Sequence, residues 1–590
     1  MTPRQTRPPQ RSRRRAVGQS TKEVNIRTTD TAPEPDGLKI IPIGGLEEVG
    51  RNMTLFEYKG DIVIVDMGLQ FPEDDMPGID YIIPNIEYLK GKEKNILGVV
   101  ITHGHLDHVG AISHLIPKLG YPPVYATGLS RGIILKRHDD FPNAGKLEIH
   151  TVKKTDNLTL GHFKIEFFHV NHNIPDSVGI ALHTPEGTVI HTGDFKFDHS
   201  PIGDEPADIA RIVQLSSKDG GVLVMLSDST NSEDSGYTIS ERQVQESLDE
   251  VIKDAQGRVI AATFGSLISR IQQLINIAEK YGRKLAIDGY SMKANVEIAK
   301  ELGFIKVKRD TFIPINDVNK YAPEKIIVAC TGAQGEGEAV LMRIAHKEHR
   351  FVQIQKGDSV IFSSSVIPGN ERSVSSLKDI LMYQGAKIIH SKLMDVHASG
   401  HAQVEDLKLM LNLVKPKYLI PIHGNHFMLR IHGQIAESIG MPTENALILG
   451  NGNPVVFKDG KAHILKSRVP TDYVMVDGLG IGDVGQVVLR DRQLMAQDGI
   501  FVIISTIDTK TGKLKGNPDI ISRGFVYLRE SQELLMDVRK LVRKIIEGSF
   551  ATEHTLNASY LKDEIRNKTG QFLFQKTERR PMVIPVIIEI

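Results

Sequence analysis

Gly98-Val99-Val100-Ile101-Thr102-His103-Gly104-His105-Leu106-Asp107-His108 is an apolar run that empties into three histidines and an aspartate within six residues. The run predicts a short β-strand, and a strand end feeding a turn can aim several side chains at one point. Imidazole and carboxylate ligands suit zinc, and a site that keeps one position open for water is catalytic. The bland alternative, a polar surface loop, gives no reason to gather imidazoles so densely. The string therefore predicts a metal centre. Any such centre must be built from His and Asp, because Cys330 is the only cysteine in 590 residues.

Other strand-like runs end on residues of the same chemistry. Asp61-Ile62-Val63-Ile64-Val65 ends on Asp66, Val189-Ile190-His191 leads to Gly193-Asp194, and Pro421-Ile422 leads to His423. His172 stands in Phe168-His169-Val170-Asn171-His172-Asn173-Ile174-Pro175-Asp176-Ser177. His169 and His191 lie inside apolar runs and read as core or supporting histidines, and His114 and His162 as structural ones. Leu38-Lys39-Ile40-Ile41-Pro42-Ile43 reads as a strand entering Gly44-Gly45, whose bland reading is a plain tight turn. From about 95 to 200, strands alternate with helical stretches, the mark of an α/β protein.

Between about 229 and 388 the texture changes. Helical periods at 239–256 and 267–281 precede apolar strands at 284–288, 326–330 and 359–362, which predicts a separate α/β unit with a parallel sheet. The metal-type pattern resumes near 389, so this unit reads as an insertion. Residues 466–485 are a Gly/Asp-rich connection. The rest reads as a small α+β domain with two strands, a charged helix near 530–547 and a final strand at 582–588. Pro585 lacks an N–H, which places that strand at a sheet edge or at a bulge.

Composition bounds the rest. With 40% hydrophobic and 24% charged residues the chain is of soluble globular type, and 590 residues exceed one core. No run approaches the roughly 18 apolar residues of a membrane span, which argues against a membrane protein. A single cysteine excludes an intramolecular disulfide and suggests a reducing, cytoplasmic compartment. The formal net charge is zero, so it says nothing about a nucleic-acid partner.

The string 103–108 is the HxHxDH motif of the metallo-β-lactamase superfamily, and Asp66, His172, Asp194 and His423 supply the rest of that pattern in order. By this resemblance His103, His105 and His172 hold one zinc, Asp107, His108 and His423 the other, Asp194 bridges them, and Asp66 orients the ligands. Seven ligands serve two four-to-five-coordinate ions only if one carboxylate bridges. Ions about 3.5–4 Å apart lower the pKa of water and stabilise both attacking and leaving oxygens of a phosphodiester. The insertion resembles the β-CASP domain of nucleic-acid-cleaving members. That group's motifs match Asp228 in Leu226-Ser227-Asp228-Ser229-Thr230-Asn231, His401 in Val396-His397-Ala398-Ser399-Gly400-His401, and His423, where a His goes with RNA-active members.

Within that group the chain resembles the ribonuclease J family from about 38 to 590. The resemblance rests on Gly44-Gly45-Leu46-Glu47-Glu48-Val49-Gly50, Thr331-Gly332-Ala333-Gln334-Gly335-Glu336, Ser363-Ser364-Ser365-Val366-Ile367-Pro368-Gly369-Asn370 and Ile521-Ser522-Arg523-Gly524-Phe525-Val526-Tyr527. Leu106 stands where Glu is usual, and Val109-Gly110-Ala111 replaces the commoner Ile-Gly-Gly; neither change touches a ligand. The implied fold is an α/β metallo-β-lactamase αββα sandwich with an inserted β-CASP α/β domain and a small C-terminal α+β domain. The implied division is a disordered basic tail at 1–36, the metallo-β-lactamase domain at 37–227 and 389–465, the insert at 228–388, a linker at 466–485 and the added domain at 486–590.

The implied activity is two-zinc hydrolysis of RNA, internally and processively from a 5′-monophosphate end, in rRNA processing and mRNA decay. Mn²⁺ or Mg²⁺ is the alternative metal. His397, Ser399 and Gly400, with Gly265 and Ser266, have the small donors that suit a 5′-phosphate pocket. Ser266 equally suits the N-cap of the 267–281 helix, and both roles can coexist. His401 is the candidate to stabilise the scissile phosphate or protonate the 3′-leaving oxygen, held by Asp228; Asp194 and Asp66 complete the catalytic set. Gly332–Gly337 lacks the Lys-Ser/Thr of a phosphate loop and reads as a turn lining the RNA channel.

The expected partners are single-stranded RNA, further copies of the chain in a dimer or tetramer, and other RNA-decay proteins, with no membrane. Residues 1–22 carry Arg4, Arg7, Arg11, Arg13, Arg14, Arg15 and Lys22 without one acid, a disordered tail that either holds RNA phosphates loosely or is passive. It has no apolar segment of a secretory signal, and an organellar transit peptide is the weaker reading. A β-CASP nuclease of the 3′-end-processing or DNA-repair type is the alternative enzyme, against which Ser522-Arg523-Gly524 argues. A non-catalytic RNA-processing scaffold would have lost ligands, and none is missing. A small-molecule lactamase or lactonase has no use for the insertion.

Overall fold

The computed structural model describes residues 36–73, 75–367, 370–526, 531–553 and 557–590. The expected basic tail, but for Asp36, lies outside them, as do Pro368, Gly369 and Tyr527. The central strands are apolar on both faces, so each must be covered twice. An eight-stranded sheet runs in the order Lys461–Ile464, Val455–Lys458, Leu38–Gly44, Met53–Tyr58, Asp61–Val65, Ile96–Val100, Val124–Ala126, Ile149–Thr151. A six-stranded sheet runs Tyr418–Ile422, Val222–Asp228, Gly187–His191, Val178–Thr184, Phe163–His169, Asn157–Leu160.

Ile40, Phe56, Val63 and Val65 of the first sheet share one core with Phe167, Ile180, Val224 and Ile420 of the second. The first sheet's outer face, with Ile41, Leu55 and Ile64, is covered by Ile112, Leu115 and Ile134 of helical segments. The second's outer face, with Ala181, Ile190 and Met225, is covered by Ile212, Leu407, Met410 and Ile435. Four layers, αββα, result.

Parallel pairing then makes the site. Val65 lies beside Val100 in the first sheet, and in the second His191 pairs with Leu226 and Asp228 with Ile422. Parallel neighbours end at the same edge, so Asp66, Thr102, Asp194, Asp228 and His423 all emerge there.

The insert is a six-stranded parallel sheet ordered Phe312–Ile313, Lys284–Asp288, Ile326–Cys330, Val259–Ala262, Ser359–Phe362, Lys387–His390. The strands expected at 284–288, 326–330 and 359–362 occupy those residues. Helices Glu241–Asp254 and Ile268–Tyr281 bury Val244, Leu248, Ile271 and Leu274 against it. Its edge strand ends at His390, so the insert runs past 388.

The expected linker is corrected. Within 466–485, Val474–Asp477 pairs antiparallel with Tyr81–Ile83, and Gly480–Ile481 completes a three-stranded sheet. The buried Arg51 guanidinium donates to Thr471 O at 3.0 Å and lies 4.7 Å from the Tyr473 ring centroid. The segment is a strap on the metallo-β-lactamase-like part. Its strands are too short, and their partner too distant in sequence, to leave a periodic signal.

The C-terminal strands are ordered Asp519–Arg523, Ile500–Ile507, Met582–Glu589. The last is an edge strand, as Pro585 required, and Pro585 stands beside Ile503. Helices Gln532–Glu553 and Ala558–Thr577 cover one face with Val538, Val542, Ile565 and Leu573. The second of these helices, and Gln486–Asp498 before the sheet, have no counterpart in the sequence reading. Ile521, Ile584, Val586 and Ile588 remain exposed on the domain.

Candidate metal centre

The turn after Ile96–Val100 is held by one carboxylate. Thr102 N and Oγ1 donate to Asp66 Oδ1 and Oδ2, each at 2.8 Å, and His108 Nδ1 lies 2.7 Å from Asp66 Oδ2. Asp66, itself buried, thus orients the first metal-type string. Asp66 (φ 61°) and His423 (φ 53°) both sit in the left-handed region that side chains avoid. Such strain persists only where surroundings over-determine it. Asp66 N donates to Val100 O at 3.0 Å and His423 N to Gly45 O at 2.6 Å. Gly45 is therefore more than a tight turn: at φ 87° it takes His423's N–H, and a Cβ there would lie 2.3 Å from Asn52 Oδ1.

His103, His105 and His172 form the first ligand group. His105 Nδ1 lies 3.1 Å from His103 Nε2 and 3.0 Å from His172 Nε2. His172 Nδ1 donates to Gly400 O at 2.7 Å, and His103 Nδ1 faces Thr102 Oγ1 at 3.1 Å, so their Nε2 lone pairs point inward. Burial pushes His105 down to about 4 and, with the neighbouring imidazoles, holds His103 and His172 well below the ordinary histidine range. Three neutral imidazoles converging on one point are a cation's ligand set.

Asp107, His108, Asp194 and His423 form the second group. Asp107 Oδ2 lies 3.2 Å from His423 Nε2, and Asp194 lies 3.2 Å from His108 Nε2 and 3.1 Å from His423 Nδ1. Asp194 Oδ2 is also 3.8 Å from His103 Nε2 and 3.9 Å from His172 Nε2. Its carboxylate therefore stands between the two groups. Against the penalty of burial, Asp194 and the other carboxylates hold His108 and His423 well above their usual range. The same pairing, against burial, holds Asp194 well below its own. His423 Nε2 is buried with Asp107 Oδ2 3.2 Å away, yet the two are not aligned for a good hydrogen bond. An orphaned buried imidazole nitrogen beside a carboxylate is costly unless something cationic takes both. The residues fit two metal ions.

Beside them, His401 Nδ1 lies 2.8 Å from Asp228 Oδ2. Asp228 is buried, and its other oxygen accepts from Thr230 N at 3.0 Å and Oγ1 at 2.8 Å. Burial would lower His401, but Asp228 and Asp194 raise it above the usual value. Asp194, Asp228, His401 and His423 also bring ligand atoms within 4.8 Å of one another, a third grouping that the sequence did not suggest.

The phosphate-pocket candidates divide. His397 is buried, Nδ1 lacks a partner, and burial with the nearby Arg270 charge pushes it down to about 3. Ser399 Oγ accepts from Asn231 Nδ2 at 2.7 Å and His401 N at 3.2 Å. Gly400 leaves no room for a side chain: a Cβ would lie 2.6 Å from His172 Cε1 and from Asn173 Cγ. Gly265 packs on the helix Tyr290–Glu301, its carbonyl taking Asn295 Nδ2 at 3.0 Å. The helix-capping reading of Ser266 is corrected: Leu267 occupies the N-cap of Ile268–Tyr281, without a side-chain cap.

What joins the insert to the 397–401 turn is a buried ion network that sequence reasoning missed. Arg270 Nη1 donates to Val396 O at 2.5 Å and to Ser363 Oγ, Nη2 lies 2.9 Å from Glu241 Oε2, and Glu241 Oε1 lies 3.3 Å from Lys196 Nζ. A buried arginine on an apolar helix face is the signal that was there to read.

The other histidines singled out in the sequence, His169, His191, His114 and His162, take no ligand position. His169 Nε2 donates to Glu205 O at 2.9 Å, and His191 Nδ1 accepts from Gly193 N at 3.1 Å. His114 pairs with Tyr81 Oη at 2.8 Å and His162 with Asp61 at 2.7 Å. In the Gly332–Gly337 turn, Gln334 Nε2 donates to Ser364 Oγ at 3.0 Å, joining two loops at the carboxyl edge of the insert's sheet.

Comparisons with known proteins agree with this architecture. Residues 46–253 match the metallo-β-lactamase superfamily, 256–381 the ribonuclease J β-CASP domain, 389–444 the Zn-dependent metallo-hydrolase RNA specificity domain, and 487–590 the ribonuclease J C-terminal domain. Ribonuclease J2 of Bacillus subtilis (strain 168) is 39% identical over 555 residues, 94% of this chain and 99% of that one. Ribonuclease J 1 of Streptococcus pyogenes serotype M3 is 40% identical over 564 residues, 95% of this chain and 99% of that one. A solved Enterococcus faecalis V583 protein of unknown function shares the fold, with TM-score 0.51 and 16% identity over 71% of this chain and all of that one. Among the described residues no helix is long and apolar enough to cross a membrane. The expected fold class holds, and the chain belongs to the ribonuclease J family, a metal-dependent nuclease of the metallo-β-lactamase superfamily.

Proposed function

We propose that this enzyme hydrolyses single-stranded RNA with two zinc ions, removing nucleotides from a 5′-monophosphate end and also cutting internally, in cytoplasmic RNA maturation and decay. The observation that carries the reading is Asp194, whose carboxylate lies between the His103–His105–His172 group and the Asp107–His108–His423 group. Ions held there would supply a nucleophilic hydroxide at neutral pH and positive charge for the phosphodiester. Asp66 and Gly400 O fix the tautomers and angles of His108 and His172. His401, held by Asp228, donates a proton to the 3′-leaving oxygen. The test is cleavage of labelled RNA bearing a 5′-monophosphate, triphosphate or hydroxyl, with and without chelator. Activity that survives complete metal removal would refute it.

The turn 397–400 is proposed to bind the terminal phosphate, since Ser399's own proton and His397 Nδ1 are uncommitted. Replacing both residues with Ala removes charge-assisted hydrogen bonds worth about 1.5–3 kcal/mol each. Preference for monophosphate over hydroxyl ends is expected to fall roughly tenfold or more. Cleavage of circular RNA should survive, because it uses no end. Equal losses on linear and circular RNA would mean the two residues only shape the loop of His401.

Self-association, as a homodimer or homotetramer, is proposed to run through the C-terminal domain, whose Ile521, Ile584, Val586 and Ile588 are exposed. Truncation after residue 485 keeps the strap and every ligand. Light scattering is expected to show a lower oligomeric mass with metal content unchanged. An unchanged mass would exclude this route.

A further inference from the structure

Beside the metal centre lies a rim of exposed apolar residues that the hydrolytic chemistry does not use. Val49 is 42% exposed, Phe71 64% and Phe427 46%. Three short segments bring them together. Gly424 bridges to both Leu46 and Glu48, and Arg51 N donates to Leu69 O at 2.9 Å. A Cβ on Gly50 would lie 3.4 Å from Gln70 Cβ, and His426 Nδ1 lies 3.0 Å from Glu47 Oε1. The 46–50 loop is thus held against both 424–426 and 69–70, so that Val49, Phe71 and Phe427 each stand next in sequence to backbone that meets around this one loop.

The rim has a definite place along the site. Gly400 O binds His172, so the 397–400 turn borders the first ligand group. His423 and Asp107 belong to the second, and Gly424 to Phe427 follow His423 directly. The Asp107 side chain is 30% exposed, whereas His103, His108, Asp194 and His423 are buried. A strand whose 5′ end sits against the turn 397–400, as proposed above, and whose scissile phosphate lies on the two groups would leave past Asp107 towards the rim. Glu47 makes the rim unsuited to phosphates. Aromatic and imidazole faces suit unstacked bases, whatever their sequence.

We propose that Phe71 and Phe427, with Val49 and the Glu47–His426 pair, form the subsite that stacks the bases immediately 3′ of the scissile phosphate. The inference rests on the RNA-hydrolase reading above. Its test is steady-state kinetics of the full-length enzyme on a 5′-monophosphorylated oligoribonucleotide, and on the same strand with abasic residues at the two positions 3′ of the cut. Phe71→Ala with Phe427→Ala is expected to raise KM on the intact strand by about tenfold or more, with kcat and metal content unchanged. Abasic RNA should show the same rise with the unsubstituted enzyme and no further rise with the variant. Phe→Trp at both positions should keep KM, and Phe→Leu should not.

An unchanged KM on intact RNA overturns the proposal, as does an equal rise on intact and abasic strands. A change of oligomeric mass with KM constant would also overturn it, assigning the rim to a protein partner. If the unsubstituted enzyme cleaves neither strand, the hydrolase reading fails instead.

Discussion

His103→Ala, Asp107→Ala and Asp194→Ala are each expected to bring both internal and terminal RNA cleavage down by about 10³-fold or more, with bound metal lost and the fold retained. The magnitude follows from the several kcal/mol that cation-assisted charge stabilisation supplies, at about 1.36 kcal/mol per tenfold. The three are not equivalent. His103 belongs to one group and Asp107 to the other, so each single change should weaken one ion. Asp194 lies against both groups and should release both. Asp66→Ala, which removes only the partner of Thr102 and His108, should cost less, about 10–100-fold. Metal analysis by mass spectrometry beside an RNA assay decides it. Full occupancy in Asp194→Ala with normal cleavage would sink the assignment.

The legible part of this site was the part written in short strings. His103 to His108 lie within one turn, and Asp66, Asp194 and His423 each follow an apolar strand, so strand ends and ligand chemistry coincide in the sequence. Parallel pairing then guarantees a common edge, and the seven residues that the pattern named are the ones the fold gathers. What was not legible depends on contacts between residues hundreds of positions apart. Gly400 looked like a phosphate-pocket backbone, yet its carbonyl also fixes His172, 228 positions away. Arg270 reads as one polar residue in a helix until Glu241, Ser363 and Val396 surround it. The 466–485 strap looked like a linker because glycines and aspartates interrupt it. Only the pairing of Val474–Asp477 with Tyr81–Ile83 makes it a strand. Ser266 failed as a cap for a local reason: the helix starts one residue later than its periodicity suggested, at a Leu267 that offers no acceptor.

Removing the imidazole of His401 is expected to lower kcat by about 10²–10⁴-fold while metal content is kept, the range for loss of a positioned general acid. His401 is not in either of the two main ligand groups, and Asp228 holds its Nδ1 at 2.8 Å, leaving Nε2 to meet substrate. Asp228 raises the His401 pKa, so the ring carries its proton further into the neutral range than an ordinary histidine. A group that acts as an acid is lost as pH rises through its pKa, so kcat should fall on the alkaline side. In Asp228→Asn the raising anion is gone, the pKa drops, and the alkaline fall should begin at lower pH. Bound cations also push the His401 pKa down, but they do so in both enzymes and leave the sign of this displacement unchanged. A substrate with sulfur in place of the 3′-leaving oxygen separates acid catalysis from simple charge stabilisation, because a thiolate leaves without a proton. If His401 is the acid, that substrate should restore most of the rate lost in His401→Ala. If instead His401 only neutralises the phosphate, the loss should be the same with either leaving group, while the alkaline limb of Asp228→Asn should still move, because an imidazole offsets the phosphate charge only while it is protonated.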